Sequence, residues 1–123
     1  MYSKVKIDAR IVALALCITA VWGCEKETPV PYECDGLIPT YSEDVKKIMD
    51  TNCALSGCHD SNSKKSGRDY STYEGVSADA GNDAFMGSVQ HLNGYSAMPK
   101  NGDKLTEEQL KILSCWITNG MKP

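Results

Sequence analysis

The sequence predicts an all-α domain of about four short helices. Three observations carry that expectation. Apolar residues recur at helical spacing in four places, each behind a residue able to cap a helix. No stretch alternates in the manner of a half-buried strand. Long polar runs, Asp60 to Asp69 and Gly94 to Lys104, separate the periodic stretches and read as loops. The 123 residues suffice for one domain and not for two. A formal net charge of -3 argues against a basic nucleic-acid footprint. Six Cys and five Met stand beside only one Phe and two Trp, an inventory that argues against an aromatic core.

At the N-terminus, Lys4, Lys6 and Arg10 precede an apolar run from Ile11 to Trp22, followed by Gly23 and Cys24. A basic flank and 12 apolar residues read as an export signal, because a bilayer-spanning helix needs about 20. A buried N-terminal helix is the competing reading. The junction Val21-Trp22-Gly23-Cys24 resembles a bacterial lipobox, which implies cleavage before Cys24 and lipid on its thiol. Trp22 is bulky for that pattern, so ordinary signal cleavage nearby is the alternative. A lipidated Cys24 holds the domain at a membrane surface with none of it spanning the bilayer. Removing a signal over 1–23 leaves 100 residues with 10 basic and 15 acidic side chains, a net charge of -5.

Residues 24–40 hold Pro29, Pro31 and Pro39 and no helical period, so they read as a flexible tether. The domain proper is expected over 41–123. Ser42 can cap a first helix with Glu43 and Asp44 in its first turn and Val45, Ile48 and Met49 on one face. Ser71 through Glu74 fits a capping box ahead of Tyr73 and Val76. Asn82 or Asp83 can open a third helix with Phe85, Val89 and Leu92, stopped by Asn93-Gly94. Thr106 through Gln109 is a second capping box. It starts the strongest helix, with Leu110, Leu113, Trp116 and Ile117 on its apolar side and Asn119-Gly120 at its end. Fewer than half of the residues after the signal are helical on this reading. A domain of this size buries only about 60–65% of its unfolded surface even when well packed. It therefore looks short of core, and a bound prosthetic group would supply the missing apolar volume.

The chemistry concentrates in Cys53-Ala-Leu-Ser-Gly-Cys58-His59. Two cysteines followed directly by a histidine suit covalent haem: each thiol adds to one porphyrin vinyl group, and the adjacent imidazole meets the iron. The usual spacing leaves two residues between the cysteines, and here Ala54 to Gly57 make four. Ser56-Gly57 gives the widened loop the freedom to bulge.

The stretch YSEDVKKIMDTNCALSGCHD, followed by AMPKNGDKLTEEQLKILSCWITNG, resembles small class I c-type cytochromes. It looks most like lipoprotein cytochrome domains of Bacteroidetes-type bacteria with a widened attachment loop, over roughly residues 41 to 120. The resemblance implies four short helices wrapped around one covalent haem c. Cys53 and Cys58 would form the thioethers and His59 would be one axial ligand. Met98, in Ala97-Met98-Pro99-Lys100, matches the family's distal methionine. Physically, a thioether is a soft ligand that favours reduced iron, and Pro99 stiffens the loop presenting it. Met86 is the competing thioether, although its place beside Phe85 on a helix suits the core. His91 is the competing imidazole and would make the site bis-histidine. Cys34 and Cys115 are left over, to be read as a disulfide or as two unpaired thiols. A bridge between them would close a loop of about 80 residues and contribute about 4 kcal/mol.

The expected function is a membrane-tethered one-electron carrier in the exported compartment, facing the periplasm or the cell surface. With His59 and Met98 filling both axial positions, no open site is left for substrate, which points away from an enzyme. The acidic charge suits redox-protein partners with a basic docking face and not nucleic acid. Two alternatives come from other classes. One is a structural zinc module of Cys53, Cys58, His59 and His91. The other is a haem peroxidase in which Met98 leaves the iron and His91 serves as the acid–base group.

Overall fold

The computed structural model describes Gly23 and residues 25–123. The stretch read as an export signal, apart from Gly23, and Cys24, read as the lipid acceptor, lie outside the described residues. Four α-helices and no strand form among the residues described. The first, α1 (Lys46–Asn52), is entered through a π-helical turn, Tyr41–Val45. Its cap is Thr40 and not the expected Ser42. The Thr40 hydroxyl accepts from the Glu43 amide at 3.3 Å, and the Asp44 carboxylate accepts from the Thr40 amide at 2.9 Å. Starting two residues earlier places Tyr41 on the face of Val45, Ile48 and Met49, and all four are buried.

Helix α2 (Tyr73–Ala80) is capped by Thr72, whose hydroxyl accepts from the Gly75 amide at 3.2 Å. The box expected at Ser71 and Glu74 does not form, because the Ser71 hydroxyl donates to Asp69 instead. Gly75 is required here: a Cβ would lie 1.7 Å from the Asp69 carbonyl oxygen. Helix α3 (Asp83–Val89) starts at Asn82, whose side chain accepts from the Ala84 amide at 2.9 Å. It stops at Val89, short of the expected Asn93-Gly94, and His91 follows in the left-handed region with φ 58°. Helix α4 (Glu107–Thr118) carries the expected capping box of Thr106 and Gln109 and ends at Asn119. Leu110, Leu113 and Trp116 on its inner face are fully buried.

The core corrects the expectation drawn from the Phe and Trp count. Tyr41, Tyr73 and Trp116 form an aromatic trio with ring centres 5.5, 6.2 and 6.4 Å apart. Tyr70 meets Phe85 edge-on at 6.0 Å. Tyr41, Tyr70 and Tyr73 supply what one Phe does not, because a tyrosine can bury its ring as a phenylalanine does. The Tyr73 hydroxyl donates to the Met121 carbonyl at 2.9 Å, and the Trp116 indole donates to that of Lys122 at 2.8 Å.

The stretch expected as a free tether is, from residue 25, an extended strap lying against the domain. Glu27 exchanges hydrogen bonds with Asn93, its own amide donating to the Asn93 carbonyl at 3.1 Å. The Gln90 side chain donates to the Val30 carbonyl at 2.7 Å and accepts from its amide at 3.0 Å. Tyr32 donates its amide to Ser114 at 3.2 Å and its hydroxyl to Glu107 at 2.6 Å. Cys34 and Cys115 are joined in a disulfide with Cα atoms 5.6 Å apart, tying the strap to α4. A segment without hydrophobic period is thus held by polar groups spaced along two helices and the loop after α3.

Candidate functional site

The loop that carries the Cys-Cys-His motif begins where α1 frays. The Met49 carbonyl takes the amides of both Cys53, at 2.9 Å, and Ala54, at 2.8 Å, which ends the helix. Gly57 then turns the chain in the left-handed region, φ 80°, and its amide donates to the Ser63 hydroxyl at 2.8 Å. The His59 amide returns to the Cys53 carbonyl at 3.1 Å, so the widened stretch between the cysteines closes into a hydrogen-bonded loop. Next to it, the Lys65 amide donates to the Cys58 carbonyl at 2.8 Å and the Tyr70 amide to the His59 carbonyl at 2.7 Å. Backbone bonds on either side therefore fix the place of His59.

The His59 side chain is buried, with its ring stacked on Tyr70 at 4.6 Å between centres. Its Nδ1 has no hydrogen-bond partner. Tyr70 is itself pinned: its hydroxyl donates to Asp79 at 2.9 Å, and Asp79 pairs with Arg68 at 2.8 Å. Burial, followed by the bond to Asp79, holds the Tyr70 phenol well above its usual range. Cys53 and Cys58 are unpaired. Cys53 is half-buried against the core, and that burial, with Cys58 adding to it, pushes its thiol up to about 11. It stays a thiol at neutral pH. Cys58 is exposed.

Met98 packs half-buried against the same core. Its amide donates to the Ser88 carbonyl at 3.0 Å, and its own carbonyl meets Nε2 of His91 at 2.9 Å. Met86 is buried in the core on α3, and His91 is committed to the main chain of Met98. A cleft of about 480 Å³ opens between the two loops, walled by Asn52 and Leu55 beside Cys53 and by Pro99 beside Met98. Leu105 and the capping residues Thr106 and Gln109 also line it, whereas His59 and Met98 do not.

The structure thus gathers Cys53, Cys58 and His59 into one loop and holds Met98 from the end of α3. It does not assemble the four side chains of the zinc alternative: among the described residues, no three His, Cys, Asp or Glu side chains converge to hold a metal ion. Two residues of the site escaped sequence reasoning. Tyr70 sits at the end of a polar run with nothing local to mark its ring as buried. The bond from His91 to Met98 follows from a left-handed turn that no local pattern announces. Compared with protein-family models, curated proteins and solved structures, the chain matches none.

The residues fit a covalently attached haem by the chemistry of their donors. Two unpaired thiols precede a buried imidazole whose Nδ1 lacks a hydrogen-bond partner, and the thioether of Met98 completes a donor set that suits haem. An imidazole and a thioether are donor types that haem iron takes, whereas the side chains of a tetrahedral zinc site do not converge among the described residues.

Proposed function

We propose that the chain is a single-haem c-type cytochrome, a membrane-tethered one-electron carrier with His59 and Met98 as axial ligands. The observation that carries this reading is the Cys53–His59 loop: two unpaired thiols beside a buried imidazole with an unsatisfied nitrogen. When bound, the haem supplies a ferric/ferrous couple that takes and gives one electron at a time. The chain's own residues hold and enclose it. Cys53 and Cys58 hold the porphyrin through thioethers, each made by adding S–H across a vinyl group, so that no oxidant or leaving group is needed. His59 is kept in place by the backbone bonds of its loop and by the Tyr70 ring. Met98 supplies a soft sulfur that stabilises the reduced iron.

Two observations favour this reading over its rivals. Zinc binding would require at least three ligating side chains to converge, and among the described residues none do. A peroxidase would need a free distal acid–base group, and the Nε2 of His91 is taken by the Met98 carbonyl. On this reading, lipid on Cys24 tethers the domain to the membrane of the exported compartment. Its acidic charge then suits redox partners with a basic docking face.

A pyridine haemochrome assay tests the proposal, on protein made in an export-competent host with haem-maturation machinery. The expected result is one haem per chain with two thioether links. A colourless product, or stoichiometric zinc without iron, overturns it. Replacing Met98 with Ala should change both spectrum and potential, and unchanged values would remove Met98 from the iron.

A further inference from the structure

We infer that His91 is a positioning residue for Met98, fixing the peptide that carries the thioether before any iron is bound. The inference rests on the cytochrome reading and concerns how its distal ligand is presented. Both main-chain polar groups of Met98 are anchored to the end of α3. The Ser88 carbonyl takes the Met98 amide at 3.0 Å and the His91 amide at 3.2 Å. The Met98 carbonyl lies 2.9 Å from Nε2 of His91, and a carbonyl only accepts, so Nε2 carries the proton and donates. That nitrogen is therefore not available to a metal. The eight-residue loop from His91 to Met98 is closed by these bonds.

His91 reaches the carbonyl because its backbone is left-handed, with φ 58°, a region rarely adopted by a residue with a Cβ. Such a conformation persists only where its surroundings determine it. Here they do. Gln90, one residue earlier, clasps both the amide and the carbonyl of Val30, so the strap braces the end of α3 from behind. The disulfide of Cys34 and Cys115 in turn fastens the strap to α4. Met98 is thus presented from a braced support, and ligation costs less loop ordering than it would from a free loop.

The experiment uses haem-loaded protein and added imidazole as a competitor for the Met98 position, followed by the visible spectrum. His91→Ala should let imidazole bind about fivefold more tightly, the factor set by one net hydrogen bond. His91→Gln keeps an N–H donor at similar reach and should return the affinity towards the parent value. Hydrogen exchange at the Met98 amide gives a second readout, faster in His91→Ala and restored in His91→Gln. Thermal melts of each variant show whether α4 and the core persist. Unchanged imidazole affinity in loaded His91→Ala overturns the inference and leaves the cytochrome reading standing. Equal behaviour of the Ala and Gln variants also overturns it. Intact low-spin ligation in Met98→Ala that is lost in His91→Ala makes His91 the ligand and overturns it as well. A parent protein that carries no haem overturns the cytochrome reading and this inference together.

Discussion

Around Trp116 the polar groups of the chain are answered largely by its own C-terminal residues, whereas around His59 they are left open. At the first end, the indole of Trp116 and the hydroxyl of Tyr73 donate to carbonyls of Lys122 and Met121. The Tyr41 amide also donates to the Lys122 carbonyl, at 2.9 Å, and a disulfide closes the strap over α4. At the second end the backbone is just as well bonded, yet the side chains are not. Two thiols are unpaired, a buried imidazole nitrogen lacks a partner, and a cleft separates the attachment loop from the Met98 loop. Folding energy accounts for the first end. The second has its main chain fixed and these side-chain groups unpaired, which folding alone does not explain.

The largest effect should come from opening the closed end. Replacing Cys34 and Cys115 together with Ala releases a loop spanning 81 residues, at a cost of about 4 kcal/mol. Urea unfolding should show this as a lower midpoint. On the cytochrome reading, haem attachment at Cys53 and Cys58 should persist under conditions where the variant folds, since neither removed sulfur belongs to the Cys53–His59 loop. Loss of attachment in a folded variant would mean that the two ends are not separable.

A smaller effect should appear at the seam between the ends. Gly75→Ala drives a Cβ into the Asp69 carbonyl, a backbone group that cannot step aside as a side chain would. The expected cost is about 1–3 kcal/mol. Because Asp69 directly precedes Tyr70, hydrogen exchange at the Tyr70 amide should speed up first. Unchanged exchange there would place the strain wholly in α2.

The closed end and the site differ in how well the sequence announced them. Helix α4 was legible, because Thr106 and Gln109 form a local capping box and Leu110, Leu113 and Trp116 share one face. Caps at Thr40 and Thr72 were misread as Ser42 and Ser71. Neighbouring hydroxyls are equivalent locally, and the choice fell to the burial of Tyr41 and to the prior claim of Asp69 on Ser71. The aromatic core was missed because the count weighed Phe and Trp alone, and tyrosines read as polar until their rings meet partners across the fold. The strap was missed for a related reason: its partners Gln90, Asn93 and Ser114 lie 60 or more residues away. In the site, the adjacency of Cys58 and His59 is a one-dimensional signal. The stacking of Tyr70 and the reach of His91 are three-dimensional ones.

The strap should also carry a signature in alkali. The Tyr32 phenol is raised from 10.0 to about 12 by burial first and by its bond to Glu107 second. The folded chain therefore holds this proton more tightly than the unfolded one. Its contribution is complete below pH 10, declines as pH rises between 10 and 12, and is gone above. Solvent around the pair keeps it modest. Tyr32→Phe should make the alkaline fall shallower, the raised Cys53, Tyr41 and Tyr70 supplying what remains, and leave the neutral region lowered only by the lost hydrogen bond. A parent profile already flat there would detach the strap from the stability of the closed end.

The smallest effect separates the two ends most sharply. Each holds one buried side-chain atom without a hydrogen-bond partner, the Tyr41 hydroxyl oxygen and the His59 Nδ1. Alike in burial, they should differ in consequence. The Tyr41 ring belongs to the aromatic trio, burial raises its phenol, and no hydrogen bond in the closed end uses its hydroxyl. Tyr41→Phe keeps the ring and removes the unmet donor, so stability should stay level or rise by up to about 1 kcal/mol. The same shift should be seen with and without haem. His59→Phe removes an unmet nitrogen too, and in protein without haem it should likewise be tolerated, stacking on Tyr70 as the imidazole does. In loaded protein it should abolish normal axial ligation. A loaded-versus-unloaded comparison of the two variants therefore distinguishes a packing residue from a ligand, since an unfilled hydrogen bond alone predicts the same small change at both sites.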